Sequence, residues 1–157
     1  MTSPDLRVVT LRLADDLFAI EARQVREIID PTAVTRAPNA SPFAPGLINV
    51  RGAVAPLVDL RVPLGLERRT ESRDARIVVL EIELDGEVLV AGLLADKVHD
   101  IADVPAAAIE PPPRIGTRWP PDFVRGIGRM DGEFFAFPDL EKIFLAHGGA
   151  RTPAGAL

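Results

Sequence analysis

The side chains that most often carry chemistry are few in this sequence, and they do not lie in reactive patterns. The chain has two histidines, His99 and His147, and no cysteine, and neither histidine belongs to a zinc-binding spacing such as HExxH. The serines at positions 3, 41 and 72 lie outside any G-x-S-x-G turn, and the one G-x-G, at positions 126–128, is too weak to count. Carboxylates are plentiful, but a chain with no tyrosine and one tryptophan makes a poor sugar cleft. The sequence therefore predicts a protein that is not an enzyme, with no catalytic residues, metal or cofactor.

Two charged residues lie among apolar segments and are candidates to face each other. Arg51 is part of an Arg-Gly turn between two apolar runs, where a partly buried guanidinium would need a carboxylate or several carbonyl groups. Glu27, in the apolar segment Val25–Ile29, is the natural candidate. The alternative is two unrelated surface charges, and spacing alone does not decide between these interpretations.

Composition and charge narrow the class of protein. The chain has 157 residues, 47% of them apolar, which is enough for a core that needs no disulfide or metal. The absence of cysteine fits a reducing compartment. The net charge of −5 argues against non-specific binding to nucleic acid, and no stretch approaches the roughly 20 apolar residues of a membrane span. We therefore expect a cytoplasmic protein with no nucleic-acid partner and no direct insertion into a membrane.

Short apolar segments separated by glycine, proline and aspartate predict an all-β fold with short helices. Clean alternation in Arg76–Leu84 and the turn pairs Asp85-Gly86 and Asp131-Gly132 predict two hairpins. The apolar spacing in Ala22–Ile29 predicts instead two turns of helix, and Asp139 is a candidate cap for a C-terminal helix. The other predicted elements are the strands Leu6–Leu13, Leu17–Ile20, Leu47–Val50, Ala53–Leu60, Glu87–Ala95, Phe123–Met130 and Glu133–Phe137, and the helix Leu140–Ala146.

The two halves of the chain resemble each other. Val25-Arg26-Glu27-Ile28 recurs as Val98-His99-Asp100-Ile101, Val50-Arg51-Gly52 as Val124-Arg125-Gly126, and Asp59-Leu60 as Asp139-Leu140. We interpret these matches as one domain, residues 1–157, made of two related β subdomains. The subdomains are expected at roughly 15–80 and 81–140, with exchange of a strand between them left open, and residues 147–157 as a flexible tail.

Four ordered blocks of this sequence closely resemble the CheW-like chemotaxis coupling proteins, over roughly Leu6 to Phe144. The blocks are VREII at 25–29, GLINVRG with PLVDLR at 46–52 and 56–61, VAGLLADKV at 90–98, and FVRGIGRMDG with Asp139-Leu140 at 123–140. The resemblance implies two SH3-like five-stranded β-barrels around a shared hydrophobic core. It also implies a non-catalytic scaffold that couples methyl-accepting chemoreceptors to the histidine kinase CheA.

The resemblance also implies which residues meet each partner. The cytoplasmic tip of the receptor is expected in a groove between the barrels, at Val25, Glu27, Ile28, Gly46, Arg51, Val98 and Ile101. The regulatory domain of CheA is expected at Arg76, Ile77 and Gly92. Further copies of the adaptor are candidate partners in rings, and the protein is expected to be recruited to receptor arrays. Without the resemblance, the apolar members of the groove would be read as ordinary core residues.

Other readings stay open from the sequence. The same fold serves chemosensory pathways other than swimming, such as surface sensing or pilus control, and a small-ligand-binding β protein is a more distant alternative. The proline-rich segment Pro111–Pro121 is expected to be a stiff connector, although Trp119 within it is also a candidate anchor for a partner. Pro138 near the end of the last predicted strand predicts an edge position for that strand.

Overall fold

The computed structural model describes residues 5–31, 34–36, 40–67, 73–113 and 119–147, which form two β-sheets around a shared core. The all-β prediction is confirmed, and the described residues include one α-helix, α1 (Leu140–His147). Of the predicted tail at 147–157, all but His147 lies outside the described residues, as does the middle of the proline-rich segment.

Eleven strands form within the described residues. They are β1 (Asp5–Leu13), β2 (Asp16–Glu21), β3 (Val25–Ile29), β4 (Thr35–Arg36), β5 (Gly46–Val50), β6 (Ala53–Val58), β7 (Arg76–Leu84), β8 (Glu87–Ala95), β9 (Lys97–Pro105), β10 (Val124–Met130) and β11 (Glu133–Pro138). Sheet 1 has the order β3-β7-β8-β6-β5-β4, and sheet 2 has the order β9-β1-β2-β11-β10. Two sheets of this size agree with the predicted pair of SH3-like subdomains, although sheet 1 has a sixth strand, the two-residue β4.

The five strands of sheet 2 are arranged in the same way as the first five strands of sheet 1. The two sheets nevertheless do not divide the chain into two consecutive halves. Sheet 1 is built from residues 25–95, whereas sheet 2 joins the N-terminal hairpin β1–β2 to the C-terminal strands β9, β10 and β11. In sheet 2 this hairpin takes the place that β7–β8 takes in sheet 1, including the one parallel pairing of each sheet. The boundary expected near residue 80 falls inside β7.

Alternation along the central strands produces the layers of the core. In β7, Val78 and Leu80 face the shared core between the sheets, whereas Ile77 and Val79 face a smaller cluster enclosed by sheet 1. In β1, Leu11 and Leu13 face the shared core, and Val8 faces a cluster enclosed by sheet 2. Helix α1 closes the shared core with Leu140, Ile143 and Phe144.

Two sequence predictions of local structure are wrong. Residues 22–29 are not a helix, because a single 3₁₀ turn at Ala22–Gln24 leads directly into strand β3. Strand β11 is not an edge strand, since it lies between β10 and β2. Pro138 is tolerated because it is the last residue of β11, beyond the only position, Ala136, at which β11 pairs with β2.

The structure also changes the register of the internal repeat. Arg51-Gly52 and Asp131-Gly132 are the two-residue turns of equivalent hairpins, with positive φ at both residues (51° and 86°, 50° and 81°), as in type I′ turns. Arg125, which the sequence comparison placed opposite Arg51, lies instead in strand β10. The segment from Phe43 to Leu60 therefore matches the segment that begins 80 positions later, at Phe123.

Candidate protein-binding groove

The edge strands β3 and β9 occupy the same place in their sheets, and each carries a β-bulge. In β3 the extra residue lies between Val25 and Glu27, so that Val25 pairs with Leu80 and Ile28 with Val78. In β9 it lies between Val98 and Ile101, which pair with Leu11 and Val9. Without a bulge, two residues three apart on a strand would point to opposite faces. The bulges place both Val-x-x-Ile pairs on the face that looks toward the shared core.

Each pair has one half-buried and one exposed member. Val25 and Val98 both pack against the shared core. Ile28 and Ile101 lie beyond them with 43% and 64% of their surface exposed, although large aliphatic side chains are usually buried. Each edge strand therefore carries one half-buried valine and one exposed isoleucine, and we call the pairs Val25–Ile28 and Val98–Ile101 the first and the second wall of the predicted groove.

Glu27 and Arg51 form the ion pair that the sequence suggested. Arg51 Nε donates to Glu27 Oε2 at 2.9 Å and Nη2 donates to Oε1 at 3.4 Å. This hydrogen bond, with the positive charge of Arg51, holds the pKa of Glu27 below its usual value. The prediction that Arg51 is partly buried is wrong, because its side chain is 76% exposed.

The pair joins two sides of sheet 1. Glu27 lies on β3 at one edge of the sheet, and Arg51 lies at the tip of the β5–β6 hairpin near the other edge. Contact between them requires that the sheet curl toward closure, as a small barrel does. Gly46, at the start of β5, is buried against β4, where an added Cβ would lie 2.7 Å from the carbonyl oxygen of Thr35.

Comparison with known proteins identifies the family. The model of the CheW-like domain matches residues 7–147 of this chain. The chain belongs to the CheW-like domain family.

Individual relatives agree with this assignment. The chain is 33% identical to a probable chemotaxis protein CheW of Rhizobium etli over 140 residues, covering 89% of this chain and 88% of that protein. The crystal structure of the scaffolding protein TtCheW from Thermoanaerobacter tengcongensis superposes with a TM-score of 0.79, at 31% identity, over 92% of this chain and 88% of that one. Protein PilI of Pseudomonas aeruginosa is 29% identical over 97 residues, covering 62% of this chain and 52% of that protein.

Two of the three residues predicted to meet a kinase are buried in this CheW-like chain. Ile77 is almost completely buried, and a Cβ added to Gly92 would lie 2.9 Å from its Cγ2 atom. Neither residue therefore offers an exposed side chain. Arg76 is half-exposed at the start of β7, with Nε 3.3 Å from the Asp30 carboxylate and Nη1 donating to the Ala75 carbonyl at 2.7 Å.

A buried ionic network joins the two sheets. Arg61 Nε and Nη2 donate to Asp59 at 2.8 and 3.0 Å, and Nη1 donates to Asp96 at 3.0 Å. Asp96 lies between β8 of sheet 1 and β9 of sheet 2, and its other oxygen accepts the backbone N–H of Ala14 at 2.6 Å. The Arg61 side chain is only 6% exposed, and hydrogen bonds with Asp59 and the charges of both carboxylates raise its pKa. Asp59 and Arg61 of the family signature at 56–61 therefore help to connect the two sheets through Asp96.

Sequence reasoning missed the residues that meet near the bulge of β9. Arg12, His99 and Glu133 lie on three different strands, and Arg12 and Glu133 are 121 positions apart. No local pattern marks such a cluster, because only the order of strands in sheet 2 brings its members together. Trp119, the candidate anchor, contacts its own chain: its ring lies edge-on to Phe18 at 5.7 Å, and Nε1 donates to Asp16 at 3.2 Å.

The described residues contain no group of three or more His, Asp or Glu side chains arranged to hold a metal ion. Within the same ranges, no helix has the length and apolar character needed to cross a membrane.

Proposed function

We propose that this chain is an adaptor that couples the cytoplasmic tip of a methyl-accepting chemoreceptor to the regulatory domain of the histidine kinase CheA. The observation that carries the proposal is the pair of equivalent bulged edge strands, each of which presents a half-buried valine and an exposed isoleucine beside the shared core. Family membership, together with relatives named as chemotaxis and scaffolding proteins, supports it.

The exposed isoleucines explain how a receptor helix would bind. Removal of an aliphatic side chain from water contributes roughly 1.5–3 kcal/mol when burial is complete, and Ile28 and Ile101 are the exposed members of the two walls. Val25 and Val98 form the floor beside them. Glu27 and Arg51 hold the first wall in place, and Gly46 allows β4 to lie against β5.

Fewer observations support the proposed kinase-binding surface than the proposed groove. Arg76 is the one member of the proposed set with an accessible charge, and Ile77 and Gly92 support the strands β7 and β8 beneath it. Modest contacts of this kind would gain strength from multivalency, because receptors, kinase and further adaptor copies are held together in an array.

The test is a titration of the protein against the two purified fragments separately, by calorimetry. We expect saturable binding to each fragment at distinct sites. Ile101→Asp is expected to weaken receptor binding by about tenfold or more while kinase binding stays unchanged, since an exposed substitution leaves the fold intact. Val88→Asp is the matched control, because Val88 is equally exposed on β8 and lies outside the proposed groove.

Arg51→Glu tests the first wall in the same assay. It places two carboxylates together at the hairpin tip and is expected to weaken receptor binding with little loss of stability. Binding to neither fragment by the folded wild-type protein would overturn the adaptor function. Equal losses of receptor and kinase binding in Ile101→Asp would overturn the assignment of the groove.

A second candidate is an adaptor in a chemosensory pathway other than swimming, to which the weaker similarity to PilI adds marginal support. The partners would then come from that pathway's receptor and kinase. Repeating the titration with fragments of each receptor–kinase pair in the source organism separates the two candidates.

A further inference from the structure

Two side chains of β1 hold the bulge of β9, and both lie on the face of β1 that is turned away from the shared core. The hydroxyl of Thr10, which is buried, donates to the carbonyl oxygen of Asp100 at 3.2 Å. Arg12 Nε donates to Nε2 of His99 at 3.3 Å. His99 and Asp100 are the residues between Val98 and Ile101, so both contacts are made to the bulge that directly precedes Ile101.

The Arg12 guanidinium is itself fixed by further partners. Nη1 and Nη2 donate to the two oxygens of Glu133 at 2.6 and 2.9 Å, and Nη1 also donates to the carbonyl oxygen of Asp15 at 3.0 Å. Its side chain is 27% exposed, far less than that of Arg51. Bidentate binding fixes the plane of a guanidinium, so the direction of the remaining Nε–H is also fixed.

In the first wall, too, an arginine from another part of the chain holds the bulge of the edge strand. There Arg51 binds Glu27, which lies in the bulge of β3 between Val25 and Ile28. In both walls an arginine from outside the edge strand therefore holds a residue of the bulge. The internal repeat matched Arg125 to Arg51, but Arg125 does not hold the bulge of β9. It binds Glu21 on β2 at 3.2 Å instead.

We propose that Arg12 is a positioning residue for receptor binding, which fixes the bulge of β9 through His99 and so sets the direction in which Ile101 meets the receptor. The proposal rests on the adaptor function proposed above and adds a residue to it. Arg12 does not touch the receptor; it acts through Ile101.

The experiment is a double-mutant cycle on receptor affinity with Arg12→Lys, Ile101→Ala and the double variant. A lysine keeps the positive charge but cannot bind Glu133 through two nitrogens and His99 through a third. Each single variant is expected to weaken binding of the receptor tip by about 3- to 30-fold, with kinase affinity unchanged. In the Ile101→Ala background, Arg12→Lys is expected to have no further effect, because the side chain that it orients is gone.

Arg7→Lys is the matched control. Arg7 also joins β1 to β9, through Asp103 at 3.1 Å, but it lies away from the bulge, and its substitution is expected to leave receptor affinity unchanged. Additive losses in the cycle, an equal loss of kinase binding, or wild-type receptor affinity in Arg12→Lys would each overturn the proposal.

A spectroscopic measurement on the free protein is independent of the partner. Arg12 Nε lies 3.3 Å from Nε2 of His99, and the imidazole ¹⁵N signals of His99 are sensitive to this contact. Arg12→Lys is expected to shift the His99 signals and to leave those of His147 unchanged. If the wild-type protein binds no receptor tip, the adaptor function fails, and unchanged His99 signals would separately overturn the positioning by Arg12.

Discussion

The segment Asp59-Leu60-Arg61 and its counterpart 80 positions later, Asp139-Leu140-Glu141, begin in the same way and then diverge. In both, the backbone N–H of the aspartate donates to the carbonyl oxygen of a phenylalanine, Phe43 or Phe123, at 2.8 Å. In both, the leucine is buried in the shared core. The two segments therefore enter the core with one geometry.

The two segments differ from the residue after the leucine onward. In the first segment Arg61 turns inward, binds Asp59 and Asp96, and the chain makes a short turn that ends at Gly65, where φ is 71°. In the second, Glu141 is exposed, and the carboxylate of Asp139 accepts the backbone N–H of Lys142 at 3.0 Å, which caps α1. One aspartate thus serves as a buried counter-ion and the other as a helix cap.

The largest expected effect is on stability, in Arg61→Ala. Loss of the guanidinium leaves Asp59 and Asp96 as buried carboxylates without their counter-ion, so the free energy of unfolding should fall by about 3–5 kcal/mol. Urea unfolding measures this, with Glu141→Ala as the control at the equivalent position, expected to cost less than about 1 kcal/mol. Similar losses in both variants would mean that the two segments are energetically alike.

Gly46 and Gly126 occupy equivalent positions in the two hairpins, and substitution of Gly46 should cost more stability than substitution of Gly126. Gly46→Ala is expected to cost about 1–3 kcal/mol, because the added methyl would lie 2.7 Å from the Thr35 carbonyl oxygen, and backbone must move. Gly126→Ala should cost less, since the nearest backbone atom, the oxygen of Glu110, is 3.1 Å away and the closest contact is the Ile109 side chain. Thermal unfolding of the two variants compares them, and a larger loss in Gly126→Ala would contradict the geometry.

A smaller effect is expected at the cap of α1. Asp139→Ala should lower the free energy of unfolding by about 0.5–2 kcal/mol, because the N–H of Lys142 loses its acceptor. Asp139→Asn, which keeps an acceptor oxygen, should recover most of the loss. Equal destabilisation by Ala and Asn in denaturant titrations would show that the hydrogen bond is not what stabilises the helix.

The smallest effect is the pH dependence of the two ion pairs beside the bulges. Hydrogen bonds from Arg51 and Arg12 lower the pKa values of Glu27 and Glu133 below 4.5 in the folded protein. Their contribution to stability is therefore complete above pH 4.5 and is lost as the pH falls through the lowered values. Both pairs are partly exposed, which keeps the contribution small.

Melting temperatures of the wild type, Glu27→Gln and Glu133→Gln against pH measure this effect. The difference between wild type and each variant should shrink as the pH falls below 4.5. It should be larger at neutral pH for Glu133→Gln, because Arg12 is less exposed than Arg51. A difference that grows toward low pH would contradict the sign of the shifts.

Local signals predicted most of the strands. The limits of β7 and β8 and the turn at Asp85-Gly86 agree with the structure, because alternation and a left-handed turn pair are properties of adjacent residues. The motif blocks at 46–61 and 123–140 likewise indicated the family that the comparisons show. The partners of the chain remain a proposal.

The segment at 25–29 shows where local signals mislead. Apolar residues three apart are typical of a helix face, but a bulged strand also brings them to one face. Nothing in the five residues distinguishes the two, because the bulge exists only relative to the register of β7. The second copy, at 98–101, has the same spacing for the same reason.

The sequence by itself determined the hairpins, the turn chemistry, the capped helix and the apolar segments, since each depends on residues close together in the chain. Tertiary structure decided which strands pair, which residues lie at the bulges, and that Arg61 is buried while Arg51 is exposed. It also placed Arg12 beside His99 and Glu133. These features depend on contacts between strands far apart in sequence, which no run of neighbouring residues specifies.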